Sequence, residues 1–259
     1  MIVFLYGGFG NKLFQLTYAI ANTKKKHLKR LYFVDCSLCY AYSHTDHFTE
    51  HLVSYLYPGQ NKLIKLQSKY MRFLLKISRI ERMQSMMNKF SIYSGYFQST
   101  KHIESILIDS RLILEIQEFF SIGSAIDENK VTIHVRGSDF LLSKNSKLNT
   151  VNKKYYSDAI TYVKNQHGIE NFRVITDDLE YARQLIGELV GTTCEYYSDS
   201  MSNDFLELMK GEILICSNST YCFWGAVLGK SKIAITPFKL NVSQNYPDIS
   251  TNMKMQVFI

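Results

Sequence analysis

Hydrophobic positions along this chain fall into short apolar runs separated by segments of helical period. Ile2 to Tyr6 is one such run, ending in Gly7-Gly8-Phe9-Gly10, and apolar residues then recur at helical spacing from about Asn11 to Lys26. A second run, Leu31 to Val34, completes an opening of strand, glycine turn, helix and strand. From about Tyr40 to Phe90 the pattern is predicted to be mainly helical and reads as an insertion rich in Lys, Tyr and Met. Two further helices are predicted near 101–108 and 110–120. From Val131 the rhythm is regular. Apolar runs at 131–135, 172–176, 194–197, 213–216 and 232–236 alternate with helical segments near 153–166, 179–187, 204–210 and 221–228. Strands alternating with helices at this spacing predict parallel β-α units. The expected fold class is therefore α/β, with two Rossmann-like domains, residues 1–122 and 123–259, facing a cleft.

Composition narrows this picture. With 259 residues, 46% of them hydrophobic, the chain supports cores of that size. No apolar run approaches the roughly 18 residues that cross a bilayer. The run Ile2 to Tyr6 is also too short for a signal-peptide core, so a cytoplasmic protein is expected. Five cysteines, an odd number without such a signal, fit reduced thiols. Cys36 and Cys39 form a lone CxxC with no second pair or ligand-spaced histidines, so no metal is expected.

Charge adds one feature. Between Asn61 and Phe90 lie Lys62, Lys65, Lys69, Arg72, Lys76, Arg79, Arg82 and Lys89 against Glu81 alone, which accounts for the whole formal charge of +7. Apolar residues interleave with them, many at helical spacing. Two readings stay open: a basic amphipathic helix on the anionic inner face of a membrane, and a solvated surface helix. Nucleic acid is not expected, because no recognition motif accompanies the patch.

Candidate chemistry gathers at strand ends, where open α/β sheets bind ligands. The segment Val131-Thr-Ile-His-Val-Arg-Gly-Ser-Asp-Phe140 delivers His134, Arg136 and Asp139 beyond a buried strand. An arginine there, always charged and forked, suits phosphate oxygens. A surface Arg–Asp pair closing a turn is the alternative. Gly8-Phe-Gly10 could approach a pyrophosphate, but Leu13 stands where a third glycine would complete a dinucleotide fingerprint. Gly10-Asn11 could instead bring backbone and an amide to a phosphate, or Asn11 could cap the helix. Asp177-Asp178 reads as a helix-start pair. Ser219 and Thr220, small hydroxyl residues where a strand gives way to a helix, make either an anion site or a cap.

Taken in order, Gly7-Gly-Phe-Gly-Asn-Lys-Leu-Phe-Gln15, Gly95-Tyr-Phe-Gln98, the HxR segment, Ile175-Thr-Asp-Asp178 and Ser217-Asn-Ser-Thr-Tyr-Cys-Phe-Trp-Gly225 resemble the motif set of the inverting α-1,2-fucosyltransferases. The resemblance spans nearly the whole chain. It implies a GT-B fold with an N-terminal acceptor-side domain, carrying the insertion at about 40–90, and a C-terminal GDP-sugar-binding domain. One departure stands out: that family usually reads His-x-Arg-Arg-x-Asp-Tyr, whereas Gly137, Ser138 and Phe140 stand here in place of its second arginine, glycine and tyrosine.

The resemblance further implies roles. Arg136 would stabilise the departing GDP, His134 would contact the guanosine half, and Asn11 would reach the phosphate–sugar junction. Ser219 and Thr220 would face the phosphates, with Gly8, Gly10 and Asp177 among the substrate contacts. Asp204 would recognise guanine or, more plainly, serve as a helix-start acid. Apart from the resemblance, Asp139 is the nearest carboxylate to Arg136 and would act as base or orient that arginine. The donor expected is GDP-L-fucose, used without a metal or other cofactor, and the acceptor a terminal galactose on an oligosaccharide or lipid-linked surface glycan. Another GDP-sugar donor, or a binding subunit without turnover, are the other functions to be weighed.

Overall fold

The computed structural model describes residues 1–25, 31–36, 47–56, 63–65, 91–107, 109–120, 126–141, 151–191, 194–241, 244–250 and 255–259. The chain divides into two compact units, Met1–Phe119 and Phe120–Ile259.

In the first unit, β1 (Ile2–Leu5), β2 (Tyr32–Asp35), β3 (Leu63–Lys65) and β4 (Ile92–Tyr93) form a parallel sheet in the order β3-β2-β1-β4. Val3 and Leu5 are fully buried, as are Leu13 and Phe14 of the helix Phe9–Lys25 that follows. That helix starts two residues earlier than the apolar spacing predicts, because the Gly8 carbonyl accepts the N–H groups of both Asn11 and Lys12. Asn11 thus lies in the first turn and is not the cap. The stretch predicted to be mainly helical contributes the helix His47–Leu56 but also β3, which pairs in parallel with β2. Three residues are too few for a strand period to register in the sequence, and the pairing with β2 decides the conformation. Apart from β3, the basic segment 61–90 lies outside the described residues, as does Cys39. Cys36 is buried, with its Sγ 3.7 Å from the Val34 carbonyl oxygen.

In the second unit, β5 (Asp127–Val135), β6 (Phe172–Thr176), β7 (Glu195–Tyr197), β8 (Gly211–Ile215) and β9 (Ile233–Thr236) belong to one sheet. Its strands are all parallel and run β12-β9-β8-β5-β6-β7, with the unpredicted β12 (Met255–Phe258) at one edge. A small antiparallel pair, β10 (Lys239–Asn241) with β11 (Gln244–Asn245), sits between β9 and β12 in sequence. β5 begins at Asp127, four residues ahead of the predicted start. Its polar lead-in Asp127-Glu-Asn-Lys130 hides the strand, and the register against β8 shifts before Val131 pairs with Ile213. Asn129 takes φ 57° in that interruption.

The pleat sorts β5 by face. Val131, Ile133 and Val135 share a core with Phe172 and Val174 and with the helices Lys153–His167 and Leu179–Val190. On the other face, His134 lies beside Tyr221, in the helix Thr220–Leu228. That helix meets the helix Met201–Leu208 closely: a β-carbon on Gly225 would stand 2.5 Å from Leu208 Cδ2. Sequence order reverses at β5: the chain runs outward to β6 and β7, then returns to place β8 on the opposite side. Ligand crevices open at such reversals, beyond the carboxyl ends of the two strands concerned. Here those ends lead into Arg136-Gly137 and Cys216-Ser217. The first sheet has the same reversal between β1 and β4, whose ends lead into Gly7-Gly8 and Gly95-Tyr96.

Candidate active site

Burial and two hydroxyls set the geometry at the end of β5. His134 is nearly fully buried, and its Nδ1 lies 2.6 Å from Ser217 Oγ beyond β8, which ties the two strand ends together. Burial pulls the imidazole down to about 4; Arg136 adds to this and Asp177 opposes it. The ring is therefore neutral at physiological pH. Behind it, Tyr156 donates to the His134 carbonyl at 3.0 Å, while Tyr155 donates to the carbonyls of Cys216 at 2.6 Å and Ile235 at 3.1 Å. Two successive tyrosines in the first turn of one helix thus fasten the carboxyl ends of β5, β8 and β9.

Arg136 projects from that anchored end. Its Nη1 lies 2.7 Å from Asp177 Oδ2, and Asp177 Oδ1 accepts the Gly137 N–H at 2.8 Å. Of the acidic pair at 177–178, Asp178 is the helix cap, accepting from the Tyr181 N–H at 3.0 Å, and Asp177 is the partner of the HxR arginine. Gly137 has a steric reason: a β-carbon there would stand 2.6 Å from Asp178 Cβ and 3.2 Å from Tyr181 Cδ1. The helix start packs where a second arginine of the motif would emerge.

Asp204 sits one turn into the helix Met201–Leu208, whose cap is Ser200. The helix therefore starts three residues before the predicted position, and Asp204 is an inward-facing carboxylate that accepts the Asp199 N–H at 3.0 Å. Burial raises its pKa above the ordinary carboxylate value. Tyr221 lies between these groups. Its hydroxyl donates to the Met201 carbonyl at 2.6 Å, its ring stands 5.0 Å from Phe205 and 5.6 Å from His134, and it feels the charges of Asp204, Arg136 and Asp177. Ser219 caps the helix Thr220–Leu228 through the Tyr221 N–H, with Thr220 as the first helical residue. The structure thus gathers His134, Arg136, Asp177, Asp204, Ser219 and Thr220 at one end of one sheet. A guanidinium and a helix N-terminus on the same crevice suit an anion. Asp139 falls in the turn Ser138–Leu141, with its side chain outside the described residues.

Asn11, Gly8 and Gly10 belong to the first unit. Asn11 Oδ1 accepts from Gln98 Nε2 at 2.7 Å, and Gln15 holds Tyr6 and Gly95 together by amide hydrogen bonds. Gly8 is exposed and Gly10 is buried within the helix. Ser217, Tyr155, Tyr156 and Tyr221 also belong to the site of the second unit, although nothing in the sequence marked them individually as site residues. Ser217 and Tyr221 stand inside the segment Ser217–Gly225, but only the tertiary structure brings Ser217 to His134 and Tyr221 to Met201 and Phe205.

Two units, each built on a parallel sheet whose strand order reverses, have the architecture of the GT-B glycosyltransferases. It matches, over all of this chain, the Escherichia coli heptosyltransferase WaaC with ADP, at a TM-score of 0.51 and 9% identity over 93% of that chain. A glycosyl transferase family 9 structure from Veillonella parvula gives 0.51 and 11% identity, covering 100% of this chain and 86% of that one. The family model of glycosyl transferase family 11 matches residues 67–255, and the chain belongs to that family. The motif resemblance is thereby borne out at the level of the family. Among relatives, the O-antigen biosynthesis glycosyltransferase WbnK of Escherichia coli is 25% identical over 293 residues, 93% of this chain and 95% of that protein. An alpha-1,2-colitosyltransferase of Escherichia coli is 25% identical over 113 residues, 42% of this chain and 39% of that protein. Among the described residues no helix is long and apolar enough to cross a membrane.

Proposed function

We propose that this family 11 glycosyltransferase moves L-fucose from GDP-β-L-fucose to the 2-hydroxyl of a terminal galactose on a surface glycan. The observation that carries the proposal is that Arg136 and the Ser217–Thr220 segment follow adjacent strands, β5 and β8, of one parallel sheet, whose ends the His134–Ser217 contact ties together. In this reading the Phe120–Ile259 unit takes the donor and the Met1–Phe119 unit the acceptor. Arg136 faces the β-phosphate, Ser219 and Thr220 face the diphosphate, and His134 and Asp204 face the guanosine half. A buried carboxylate suits guanine because it accepts from both the N1 and N2 donors.

The acceptor oxygen attacks the anomeric carbon from the face opposite GDP, the carbon–oxygen bond to the β-phosphate breaks, and configuration inverts. Negative charge grows on the leaving phosphate as that bond stretches. A preorganised arginine stabilises this charge more than it stabilises the ground state. The acceptor proton passes to solvent or to a carboxylate such as Asp139. We assign no metal to the reaction. Arg136 supplies the positive charge that the leaving phosphate needs, and activity is expected to survive a chelator. Surface-glycan assembly also fits the name of the relative that spans nearly the whole chain. For the basic segment 61–90 we propose peripheral contact with an anionic cytoplasmic membrane face, tested by flotation with anionic vesicles at low salt.

The deciding experiment is release of GDP from GDP-fucose with and without galactose-terminated oligosaccharides. Acceptor-dependent release is expected; binding of GDP-fucose without such release would leave a non-catalytic binding subunit. The relative named for colitose transfer supports a second reading, a donor carrying another sugar. Competition between nucleotide sugars in the same assay separates the two.

A further inference from the structure

The second sheet holds a buried charge to which the donor assignment gives no task. β6 reads Phe172-Arg-Val-Ile-Thr176, and every residue in it is buried. A parallel strand covered on both faces is ordinarily an unbroken apolar run, and here one arginine interrupts it. Arg173 is level with Thr132 of β5 and Glu195 of β7. It therefore lies on the face that carries His134, opposite the core face of Phe172 and Val174.

Three carboxylates from three elements surround its guanidinium. Asp127 of β5 lies 2.7 Å from Nη1, Glu207 of the helix Met201–Leu208 lies 3.1 Å from the same nitrogen, and Glu195 lies 3.6 Å from Nε. The side chain is 7% exposed, and its guanidinium stands 5.3 Å from the centre of the Tyr197 ring. Lys130 pairs with Glu195 and Lys210 with Glu207, which matches the three carboxylates with three cations. Nε and Nη1 meet these oxygens as ion pairs and not as aligned hydrogen bonds. Taking such charges out of water is costly, and apolar residues of similar size often hold a fold as well or better. The best-attested use of a buried ion pair is to fix register.

The register at stake is that of the helix Met201–Leu208. Its buried Phe205 and Leu208 make apolar contacts, which have no direction of their own. Polar ties stand near its two ends. The Met201 carbonyl accepts from the Tyr221 hydroxyl at 2.6 Å, and Glu207 meets Arg173. Asp204 lies between them, about 4.5 Å of helix rise before Glu207. We propose that Arg173 and Glu207 are positioning residues for nucleobase selection, their ion pair setting the helix so that the Asp204 carboxylate meets both donors of guanine. The proposal rests on the donor reading above, in which Asp204 faces the guanosine half.

Binding of GDP and of ADP is measured by calorimetry, because adenine lacks both the N1–H and the N2 amino group of guanine. A general weakening of the fold lowers both affinities, whereas a displaced Asp204 lowers that for GDP alone. Wild type is expected to prefer GDP at least about thirtyfold. Glu207→Gln and Arg173→Met should reduce the preference to about threefold or less, with the ADP Kd within about twofold of wild type. The KM for GDP-fucose should rise about tenfold while kcat stays within about threefold. Should Arg173→Met fail to fold, Glu207→Gln decides alone, since it leaves Arg173 with Asp127 and Glu195. An unchanged preference in Glu207→Gln, or equal weakening of GDP and ADP, overturns the positioning role and leaves the donor reading standing. If wild type shows no preference, or Asp204→Asn retains it in full, the guanine reading of Asp204 falls and the positioning role falls with it.

Discussion

One carboxylate fixes both the guanidinium of Arg136 and the backbone that follows it: Asp177 Oδ2 lies 2.7 Å from Arg136 Nη1, and Asp177 Oδ1 accepts the Gly137 N–H at 2.8 Å. The pair is about one-third exposed, so its value lies less in stability than in aim. A guanidinium held by one edge presents its remaining donors in a set direction.

Arg136→Ala is expected to lower kcat/KM at least about a hundredfold, roughly 2.7 kcal/mol of transition-state stabilisation. Asp177→Asn should cost about tenfold, because the residue orients Arg136 without bearing the charge that phosphate needs. The two losses should not add: the double variant should be no worse than Arg136→Ala alone. Full additivity in steady-state kinetics would show that Asp177 acts independently.

Gly137 is a packing requirement. Gly137→Ala should destabilise the protein by about 1–3 kcal/mol in denaturant unfolding, the usual cost of forcing an extra carbon into a close contact. The contact is Asp178 Cβ, 2.6 Å from the added atom. In an Asp178→Gly background the penalty should largely vanish, since glycine caps a helix only a few tenths of a kcal/mol less well. A full penalty in both backgrounds would place the clash elsewhere.

The neutral buried imidazole of His134 sets a pH dependence. Its folded pKa of about 4 lies below its ordinary 6.5, so the unfolded chain takes up the proton first as pH falls. The stability that this residue contributes is complete above about pH 6.5 and is lost as pH drops towards 4. Thermal melts of His134→Asn should show a flatter decline across that window than wild type. Parallel curves would mean that the imidazole is already charged in the fold.

Asp204 carries the opposite sign. Burial raises its folded pKa, so its contribution is complete below the ordinary carboxylate pKa and is lost as pH rises through the folded value. Asp204→Asn should therefore raise Tm at neutral pH, with a gain that shrinks as the solution is acidified. The same substitution should weaken GDP binding at least about tenfold if the carboxylate meets guanine, because an amide cannot accept from both guanine donors at once. Unchanged GDP affinity would leave Asp204 as a helix acid.

Wherever apolar periodicity ran long, the sequence already determined the structure. The parallel β-α units after Val131, the opening strand, glycine turn and helix, and the grouping of His134, Arg136, Ser219 and Thr220 at strand ends were all readable, because a buried parallel strand requires a continuous apolar run. Short or polar elements were not. β3 and β4 have three and two residues, and β5 begins in the polar run Asp127-Glu-Asn-Lys130, so their pairing rests on neighbours far away in sequence. Only tertiary structure decided which half of Asp177-Asp178 caps a helix and which holds Arg136, since the two carboxylates are chemically alike and differ in what the fold brings near. Gly137 is the sharpest case: in sequence it reads as a lost arginine, and in the fold it is the position where Asp178 leaves no room for a β-carbon.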